Sequence, residues 1–516
     1  METDVLVIGG GVTGAGIFRD LAQRGLHVVL VEKKDLNAGA SGGNHGLLHS
    51  GARYVCSDPE AAVECRDELE IIKRTAPHCV EDTGGIFVAV EGDDENYMAD
   101  FPGYCEKSGI PYKALTVAEA RELEPQISEK AVAAFQVNDA SVNPFKLTVE
   151  NVNDARSKGS VYMNHSRLHS FEMDGNRISA AVIRNDRTGE ETRIQARIYV
   201  NAAGAWAGAV AAKAGVDIPM VFSKGTLIIT ANRVTQRVIN RLRKASDGDI
   251  LVPGGVVSIL GTTSVRVDDP DEIYPTVIEV DQMVAQGEQM VPVLGRCRYI
   301  RAYAGARPLV SSGDGDDRSI TRGFSLIDHG EHGHDNFITI TGGKLTTYRL
   351  MAEKACDLVC SKLNCPNECQ THLLDLPATA DGDWAEPGVM GPSVFKPTGP
   401  GDPMLCECEM VPASAVDTIV ASLKQSGLTP DLSAIGVRSR IGKGPCQGAF
   451  CSLRVQTHLH DCGEDAGGIE GLKRFLNERW KGEYPLLWGQ PLTQSSLKEM
   501  IHCGLFGLEQ VKKGGA

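Results

Sequence analysis

The 516-residue sequence lacks the features that mark membrane-spanning, secreted or nucleic-acid-binding chains. No apolar run approaches the roughly 18 residues that a membrane-spanning helix needs. Residues 1–8 enter a strand pattern without a basic leader or cleavage site, so we expect no signal peptide. The formal net charge of −15 makes nucleic acid a poor candidate ligand. We therefore expect a cytoplasmic chain, or one that reaches a membrane through partner proteins.

Internal repeats are also absent, whereas cysteine is abundant, with 15 residues. A reducing compartment disfavours a disulfide framework. Eight of the fifteen lie between Cys356 and Cys451, so a metal or cluster has to be considered there. Cys356 and Cys360 are one helical turn apart and, with Cys365 and Cys369, are compatible with a metal site, but a core-facing helix stripe is the simpler interpretation.

The N-terminal pattern predicts a dinucleotide-binding β-α-β unit. Residues 4–8 and 27–32 have the composition of buried strands, and residues 13–25 between them have an apolar helix face. The junction of the first strand and the helix has the spacing G-x-G-x-x-G, which lets a pyrophosphate approach the backbone at the helix N-terminus. The three glycines of this motif are Gly9, Gly11 and Gly14.

The glycine motif does not separate FAD from NAD, but later features favour FAD. Glu32 ends the second strand, 18 residues after Gly14, where its carboxylate can accept hydrogen bonds from ribose hydroxyls. Residues 35–50 form a loop of small residues that permits backbone contact with a bulky flavin. Residues 201–206 form a strand-to-glycine turn that can close over the same cofactor.

The whole pattern predicts an α/β chain that has a Rossmann-type FAD domain, an inserted mixed α+β substrate domain, and a small cysteine-bearing module with a helical tail. The predicted boundaries are 1–375 for the oxidoreductase region, 376–404 for a linker, 405–455 for the cysteine module and 456–516 for the tail. Within the oxidoreductase region, the FAD-binding parts are 1–85, 146–215 and 326–375, and the substrate-domain parts are 86–145 and 216–325.

Four segments resemble the signatures of FAD-dependent glycerol-3-phosphate dehydrogenases: LLHSGARYV at 47–55, AGARPLV at 304–310, ITRGF at 320–324 and GGKLTTYR at 342–349. Their order and spacing also match, and with its C-terminal region the whole chain is similar to the catalytic subunit of the anaerobic members of that family. The resemblance implies the following FAD contacts: Gly9, Gly11, Val12, Thr13, Gly14, Glu32, Ala40, Ser41, Asn44, Gly46, Leu47, Gly204, Trp206, Gly343, Lys344, Leu345 and Thr346.

The substrate that the resemblance implies, sn-glycerol 3-phosphate, is a dianion, so its pocket needs fixed cations. Arginine suits this task because its planar fork binds phosphate oxygens bidentately. The substrate-binding residues of the family carry over to Arg53, Tyr54, Arg307, Arg322 and Lys344.

Hydride transfer from C2 of the alcohol to flavin N5 requires a base for the hydroxyl proton. His49 is the first candidate because its unperturbed pKa lies near physiological pH. The second is Lys344, whose pKa neighbouring arginines would lower. In an alternative role, Lys344 and Arg322 stabilise the developing alkoxide and do not act as the base. The choice of base therefore stays open. The candidate catalytic residues are His49, Lys344 and Arg307.

The C-terminal cysteines form two pairs, Cys406-x-Cys408 and, after 37 residues, Cys446-x4-Cys451. Four thiolates can hold a 2Fe-2S cluster. The one-residue spacer argues against a zinc finger, although zinc and unligated thiols remain alternatives. The arrangement resembles the module of bacterioferritin-associated ferredoxins at the C-terminus of such subunits, which implies a 2Fe-2S cluster.

The expected function is oxidation of sn-glycerol 3-phosphate to dihydroxyacetone phosphate in anaerobic respiration. Electrons would pass from FAD through the 2Fe-2S centre to partner subunits and the quinone pool. The resemblance implies two partners: one is a second flavoprotein-type subunit, the other a membrane-associated iron–sulfur subunit. These partners would hold the chain at the cytoplasmic face of the inner membrane. The alternatives are a flavin dehydrogenase or oxidase for an amino acid, opine or 2-hydroxy acid, and a non-catalytic electron-transfer or iron-sensing scaffold.

Overall fold

The computed structural model describes residues 1–310, 323–379, 401–464 and 467–508. The predicted substrate residue Arg322 and most of the predicted linker, residues 380–400, lie outside these ranges. The strands are β1 (Glu2–Ile8), β2 (Val28–Val31), β3 (Leu47–Leu48), β4 (Val80–Glu81), β5 (Gly85–Val90), β6 (Tyr112–Leu115), β7 (Ala131–Val137), β8 (Ala140–Val142), β9 (Val161–Met163), β10 (Ser166–Asp174), β11 (Arg177–Asn185), β12 (Glu191–Asn201), β13 (Met220–Thr230), β14 (Val238–Arg241), β15 (Ile250–Gly254), β16 (Val257–Gly261), β17 (Val265–Val267), β18 (Tyr299–Val310), β19 (Phe324–Asp328), β20 (Phe337–Gly342), β21 (Met404–Cys406) and β22 (Val411–Pro412).

Helices alternate with these strands in the first 363 residues and dominate after residue 412. None of the helices in the described ranges combines the length and apolar character that a bilayer crossing requires. The helices are α1 (Val12–Gln23), α2 (Pro59–Thr75), α3 (Glu95–Lys107), α4 (Val117–Leu123), α5 (Pro144–Ser157), α6 (Ala207–Ala212), α7 (Val277–Met290), α8 (Tyr348–Leu363), α9 (Ala413–Gln425), α10 (Leu432–Arg438), α11 (Cys451–Asp461), α12 (Gly468–Glu483) and α13 (Gln490–Glu499).

The first sheet is the Rossmann-type core. Its strands are ordered β9–β2–β1–β12–β20–β19, and all neighbours are parallel except β19, which is antiparallel to β20. The first half of β12 also pairs with the antiparallel β10–β11 ribbon. Because the central strands are buried on both faces, they are continuous apolar runs, such as VVLV in β2. The order places the carboxyl ends of β1, β12 and β20 side by side, where ligands bind in open α/β sheets.

The second sheet is mixed and has nine strands. It is ordered β17–β13–β16–β15–β14–β5–β7–β6, and β18 pairs with β13 along almost its whole length. Its strands come from two separated stretches of chain, Gly85–Val137 and Met220–Val310. Helix α7 covers one face through Val280 and Met283, which are fully buried. Strand β18 of this sheet supplies the residues that face the first sheet.

The C-terminal region packs directly on the Rossmann-type core. The small β21–β22 hairpin and helices α9–α11 share one apolar cluster with α1, α5 and α8, so their cores are continuous. Arg438 of α10 forms a buried ion pair with Asp35 at 2.9 Å. Burial alone would raise the pKa of the Asp35 carboxyl, but the Arg438 guanidinium lowers the pKa below its usual value. The C-terminal region is therefore held close to the loop that follows Glu32.

Candidate active site

A cavity of about 610 Å³ lies between the two sheets. Both the dinucleotide motif and strand β18 contribute to its wall. The predicted residues that line it are Gly9, Gly11, Val12, Thr13, Glu32, Ala40, Ser41, Asn44, His49, Arg53, Tyr54, Gly204, Trp206, Arg307, Gly343, Lys344 and Leu345. Residues separated by more than 300 positions in sequence thus meet in one enclosure.

The turn after β1 is shaped for close approach of a ligand to the backbone. Gly9 has a φ of +119°, and a Cβ there would lie 2.5 Å from the carbonyl oxygen of Ala202. Any larger residue would therefore be strained and would collide with β12. Helix α1 follows with neither a side-chain cap nor an acidic residue in its first turn, so its N-terminus suits an anionic ligand.

Glu32 lies across the turn at the end of β2. Its carboxylate accepts hydrogen bonds from the backbone N–H groups of Gly10 at 2.7 Å and Lys34 at 2.8 Å. Burial raises the pKa of Glu32 above its usual value, and these two N–H donors oppose the rise. The carboxylate keeps free lone-pair positions toward the cavity, as ribose recognition requires.

The small-residue loop after β2 packs against β18. A Cβ at Gly305 would lie 2.5 Å from the carbonyl oxygen of Gly43, so only two glycines allow this contact. The hydroxyl of Tyr303 donates to the carbonyl oxygen of Asn44 at 2.7 Å, and the Ser41 hydroxyl accepts from the N–H of Val12 at 3.0 Å. The loop therefore joins the helix N-terminus to the second sheet.

A second turn closes the other side of the cavity. Trp206, in the turn after β12, donates from its indole N–H to Asp271 at 3.0 Å. The Lys33 ammonium lies 3.7 Å from the centroid of the Trp206 ring and 3.2 Å from the Asp271 carboxylate. A cation–π contact and an ion pair thus hold the indole in place.

Three predicted cationic side chains converge on the cavity. Arg307 donates to the hydroxyl of Thr262 and to the carbonyl oxygen of Thr263, the latter at 3.0 Å. Arg53 forms an ion pair with Asp249 at 2.7 Å, which fixes its guanidinium. The Lys344 ammonium lies 4.8 Å from the centroid of the Tyr54 ring. The cavity therefore combines a dinucleotide turn with a cationic wall.

His49 is held in place by its neighbours. Its backbone N–H donates to the Thr346 hydroxyl at 3.0 Å, and its Nε2 lies 3.4 Å from the Tyr54 hydroxyl. The imidazole is 7% exposed and packs edge-on against the Tyr54 ring. His49, Tyr54 and Lys344 thus form one cluster on the cavity wall.

His45 is a site residue that our sequence analysis did not select. It lines the cavity, and its buried Nδ1 has no hydrogen-bond partner among the described residues. Burial and the nearby guanidinium groups of Arg307 and Arg53 lower the pKa of His45 to about 3, so the ring is neutral at physiological pH. The only signal in sequence is its position four residues before His49 in the small-residue loop.

Four predicted FAD contacts do not line the cavity but shape it from behind. A Cβ at Gly14 would lie 2.0 Å from the carbonyl oxygen of Gly9, so this glycine permits α1 to pack against the turn. Leu47 pairs with β8, and Gly46 lies against the same strand. The Thr346 hydroxyl accepts a hydrogen bond from the backbone N–H of His49.

The second candidate site is formed by the two cysteine pairs. The Cys446 thiol interacts with those of Cys408 and Cys451, and Cys406 interacts with Cys451. These thiol–thiol contacts lower the pKa of Cys446 strongly and raise that of Cys451. The two loops touch at Gly444, where a Cβ would lie 2.6 Å from the Cβ of Cys408. Two cysteine pairs separated by 37 residues therefore meet as a four-thiol set.

The other cysteine group is mostly part of the core. Cys356 and Cys360 of α8 are buried in the apolar cluster beneath α1, and the Cys356 thiol donates to the carbonyl oxygen of Ile17 at 3.7 Å. Burial is the main reason that the pKa values of both thiols are raised, which disfavours metal-binding thiolates.

Comparisons with known proteins agree with this architecture. Residues 4–349 match the family of FAD dependent oxidoreductases. An anaerobic glycerol-3-phosphate dehydrogenase subunit from Escherichia coli K12 is 43% identical over 99% of this chain and 98% of its own length. The aerobic glycerol-3-phosphate dehydrogenase of the same strain is 28% identical but matches only 69% of this chain and 73% of itself.

A solved structure has the same fold. The L-α-glycerophosphate oxidase from Mycoplasma pneumoniae with FAD bound superposes with a TM-score of 0.59 at 18% identity, covering 70% of this chain and 95% of that one. The family match also makes FAD the cofactor of this chain. The chain belongs to the FAD-dependent oxidoreductases, and within them to the family of the anaerobic glycerol-3-phosphate dehydrogenase subunits.

Proposed function

We propose that this chain oxidises sn-glycerol 3-phosphate to dihydroxyacetone phosphate in the cavity between its two sheets. The observation that carries the proposal is the meeting of the dinucleotide turn with Arg53, Arg307 and Lys344 in one enclosure. A phosphorylated alcohol needs this combination, because its dianionic group requires cations while its carbinol carbon must reach the flavin. The family that includes the E. coli relative supports the same activity.

Arg307 and Arg53 bind the phosphate in this proposal. Their neighbours support that role: Thr262, Thr263 and Asp249 fix the two guanidinium groups before substrate arrives. Fixed donors reduce the entropy that binding would otherwise cost.

His49 accepts the hydroxyl proton of C2, and Lys344 stabilises the oxygen as negative charge develops on it. The contact of His49 with Tyr54 supports this assignment because it orients the imidazole at the cavity wall. Lys344 lies beside the same Tyr54 ring, with its ammonium 4.8 Å from the ring centroid, which supports its role next to His49. Bound FAD supplies the acceptor for the hydride that leaves C2.

Cys406, Cys408, Cys446 and Cys451 would hold a 2Fe-2S cluster, which would supply one-electron transfer when bound. Thiol–thiol contacts connect all four residues, as a shared cluster requires.

Partner subunits complete the route to the quinone pool and hold the chain at the cytoplasmic face of the membrane. The E. coli relative is named as a subunit, which supports an assembly of several chains. The proposed partners are a second flavoprotein-type subunit and an iron–sulfur subunit that is associated with the membrane.

Anaerobic mixing of the purified chain with sn-glycerol 3-phosphate tests the activity. We expect flavin absorbance to bleach and an iron–sulfur EPR signal to appear. Absence of bleaching would contradict the whole proposal, whereas bleaching without the EPR signal would contradict only the cluster. Bleaching by an amino acid or 2-hydroxy acid instead would favour the alternative dehydrogenases.

The variant Arg307→Met tests the phosphate site. Loss of hydrogen bonds to a charged group costs about 1.5–3 kcal/mol, so kcat/KM should fall about 10- to 150-fold. Arg177→Met is the matched control, because Arg177 is exposed and pairs with Asp335 at the surface. Equal kinetics of the two variants would remove Arg307 from the site.

A further inference from the structure

The C-terminal tail carries an unusual concentration of exposed apolar side chains. Among the described residues, 20 large hydrophobic side chains are exposed, and eight of these lie in the short stretch from Trp480 to Phe506. Leu505 is 75% exposed and Tyr484 61%. We call this set the tail surface: Trp480, Tyr484, Trp488, Leu492, Leu497, Met500, Leu505 and Phe506.

The tail is nevertheless anchored to the rest of the molecule. Helix α12 packs so closely on β18 that a Cβ at Gly482 would lie 2.0 Å from the carbonyl oxygen of Ala302. Leu486 is 1% exposed, within the apolar cluster of the second sheet. The ring Nε2 of His502 lies 3.1 Å from the carbonyl oxygen of Ala449. The inner side of the tail is therefore packed, and only its outer side presents apolar groups to solvent.

The tail that carries the tail surface adjoins the four-cysteine site. Pro445, Cys446 and Gln447 line one crevice together with the tail residues Leu487 and Pro491. Ala449, which contacts His502, lies between Cys446 and Cys451 in the same loop. A protein bound to the tail surface would thus lie beside the proposed exit for electrons.

Composition argues for a protein rather than an anionic membrane as the occupant. Residues 467–508 contain five Lys or Arg and four Glu, a net charge of +1. Segments that bind anionic lipid carry a cluster of about 4–8 basic residues. Here the four Glu are interspersed among the basic residues and cancel all but one of their charges. Tyrosine, tryptophan, phenylalanine and methionine, which make up five of the eight side chains, are the types enriched in protein interfaces. Exposed patches of this kind mark interaction sites.

The relatives support the same choice. The E. coli protein that is named as a subunit matches 99% of this chain, whereas the aerobic dehydrogenase matches 69%. A region that follows the oxidoreductase core and is shared with a named subunit is where contacts between subunits are expected. We propose that the tail surface binds the subunit that accepts electrons from the four-cysteine site. This inference rests on the proposed function and adds the location of the interface.

A double variant, Leu492→Ser with Leu505→Ser, tests the interface in the full-length chain. Both side chains are exposed, so folding, flavin content and the reduction of an artificial dye by sn-glycerol 3-phosphate should stay within about twofold of the wild type. Quinone reduction by membranes of a host that produces all subunits should fall more than tenfold. Met173→Ser, which alters an exposed side chain on β10, is the matched control and should leave both rates unchanged.

Photo-crosslinking identifies the occupant. A benzoylphenylalanine at position 505 should crosslink to a cofactor-bearing protein that reoxidises the reduced chain, and one at position 173 should not. Crosslinking to a second copy, flotation of the purified chain with vesicles of anionic lipid, or unchanged quinone reduction in the double variant would each overturn the proposal. Failure of the wild type to bleach with sn-glycerol 3-phosphate would instead contradict the underlying activity.

Discussion

Single residues control whether the cavity accepts its ligands, and Gly9 is one of the constrained positions. Gly9→Ala adds a Cβ at a φ of +119° and 2.5 Å from the carbonyl oxygen of Ala202. We expect flavin to be lost on purification and stability to fall by about 1–3 kcal/mol, as for other strained backbone positions. The flavin-to-protein absorbance ratio and Tm measure the two effects.

Gly92→Ala is the control for this prediction. Gly92 has a φ of +90° but nothing within 4 Å of a Cβ, so it separates backbone strain from collision. Full flavin content in Gly9→Ala, or an equal flavin loss in both variants, would contradict the role of Gly9 in the turn.

His45 provides a pH-dependent prediction at the same scale. Its pKa of about 3 in the folded chain lies below the usual 6.5, so the unfolded chain binds one more proton between these values. Stability should therefore decrease as pH falls from 6.5 toward 3, by roughly 1 kcal/mol per pH unit from this group. His45→Gln should remove that part of the acid sensitivity, as denaturant titrations at pH 7, 6 and 5 would measure.

His27→Gln, at an exposed histidine, serves as the comparison for His45→Gln. Substrate should also reduce the effect, because a bound dianion favours the protonated ring. An unchanged slope of stability against pH in His45→Gln would show that the ring is not held neutral.

At the scale of elements, helix α10 connects the cysteine module to the FAD domain. Arg438→Met leaves the buried Asp35 carboxylate without its ion-pair partner, which typically costs about 3–5 kcal/mol. The pKa of Asp35 is lowered in the folded chain, so the stabilisation is present at neutral pH and is lost as pH falls through that lowered value. Chemical denaturation at pH 7 should therefore show a lower unfolding midpoint.

The double variant Asp35→Asn with Arg438→Met completes the cycle for this ion pair. Because no isolated buried charge remains, it should recover part of the lost stability. If the stability lost by the double variant equals the sum of the losses in Asp35→Asn and Arg438→Met, the ion pair does not couple the module to the domain.

Elements were predicted best where the pattern is local. The expected helix at 13–25 is observed as Val12–Gln23, and the strands expected at 4–8 and 27–32 as Glu2–Ile8 and Val28–Val31. The predicted helical tail contains α12, whose Gly482 packs against β18. The nine-stranded sheet was harder to predict from the sequence. Its strand β5 pairs with β14 across about 150 residues, and no local signal specifies that partner.

At the scale of the whole molecule, two sites share one chain and should be separable. Cys446→Ser removes the thiol that contacts both Cys408 and Cys451. We expect iron content and the EPR signal to be lost, while sn-glycerol 3-phosphate still bleaches the flavin, because the cavity does not include the cysteine loops. Iron analysis and anaerobic spectroscopy measure both.

Cys462→Ser is the control for Cys446→Ser, since Cys462 is exposed and lies outside the two pairs. It should retain iron and both signals. Iron content that is equal in the two variants, or flavin that no longer bleaches in Cys446→Ser, would contradict the separation of the sites.

The sequence by itself determined the FAD-binding turn and the family, and the comparisons confirm the family. Short motifs sufficed because Gly9, Gly11 and Glu32 act within one β-α-β unit whose geometry is local. The tertiary structure alone decided which distant residues share the cavity. His45 became a candidate only when β18 brought Arg307 beside it. The apolar outer side of the tail could be identified only once its inner side was seen to be packed. In both cases burial and charge environment depend on neighbours far along the chain.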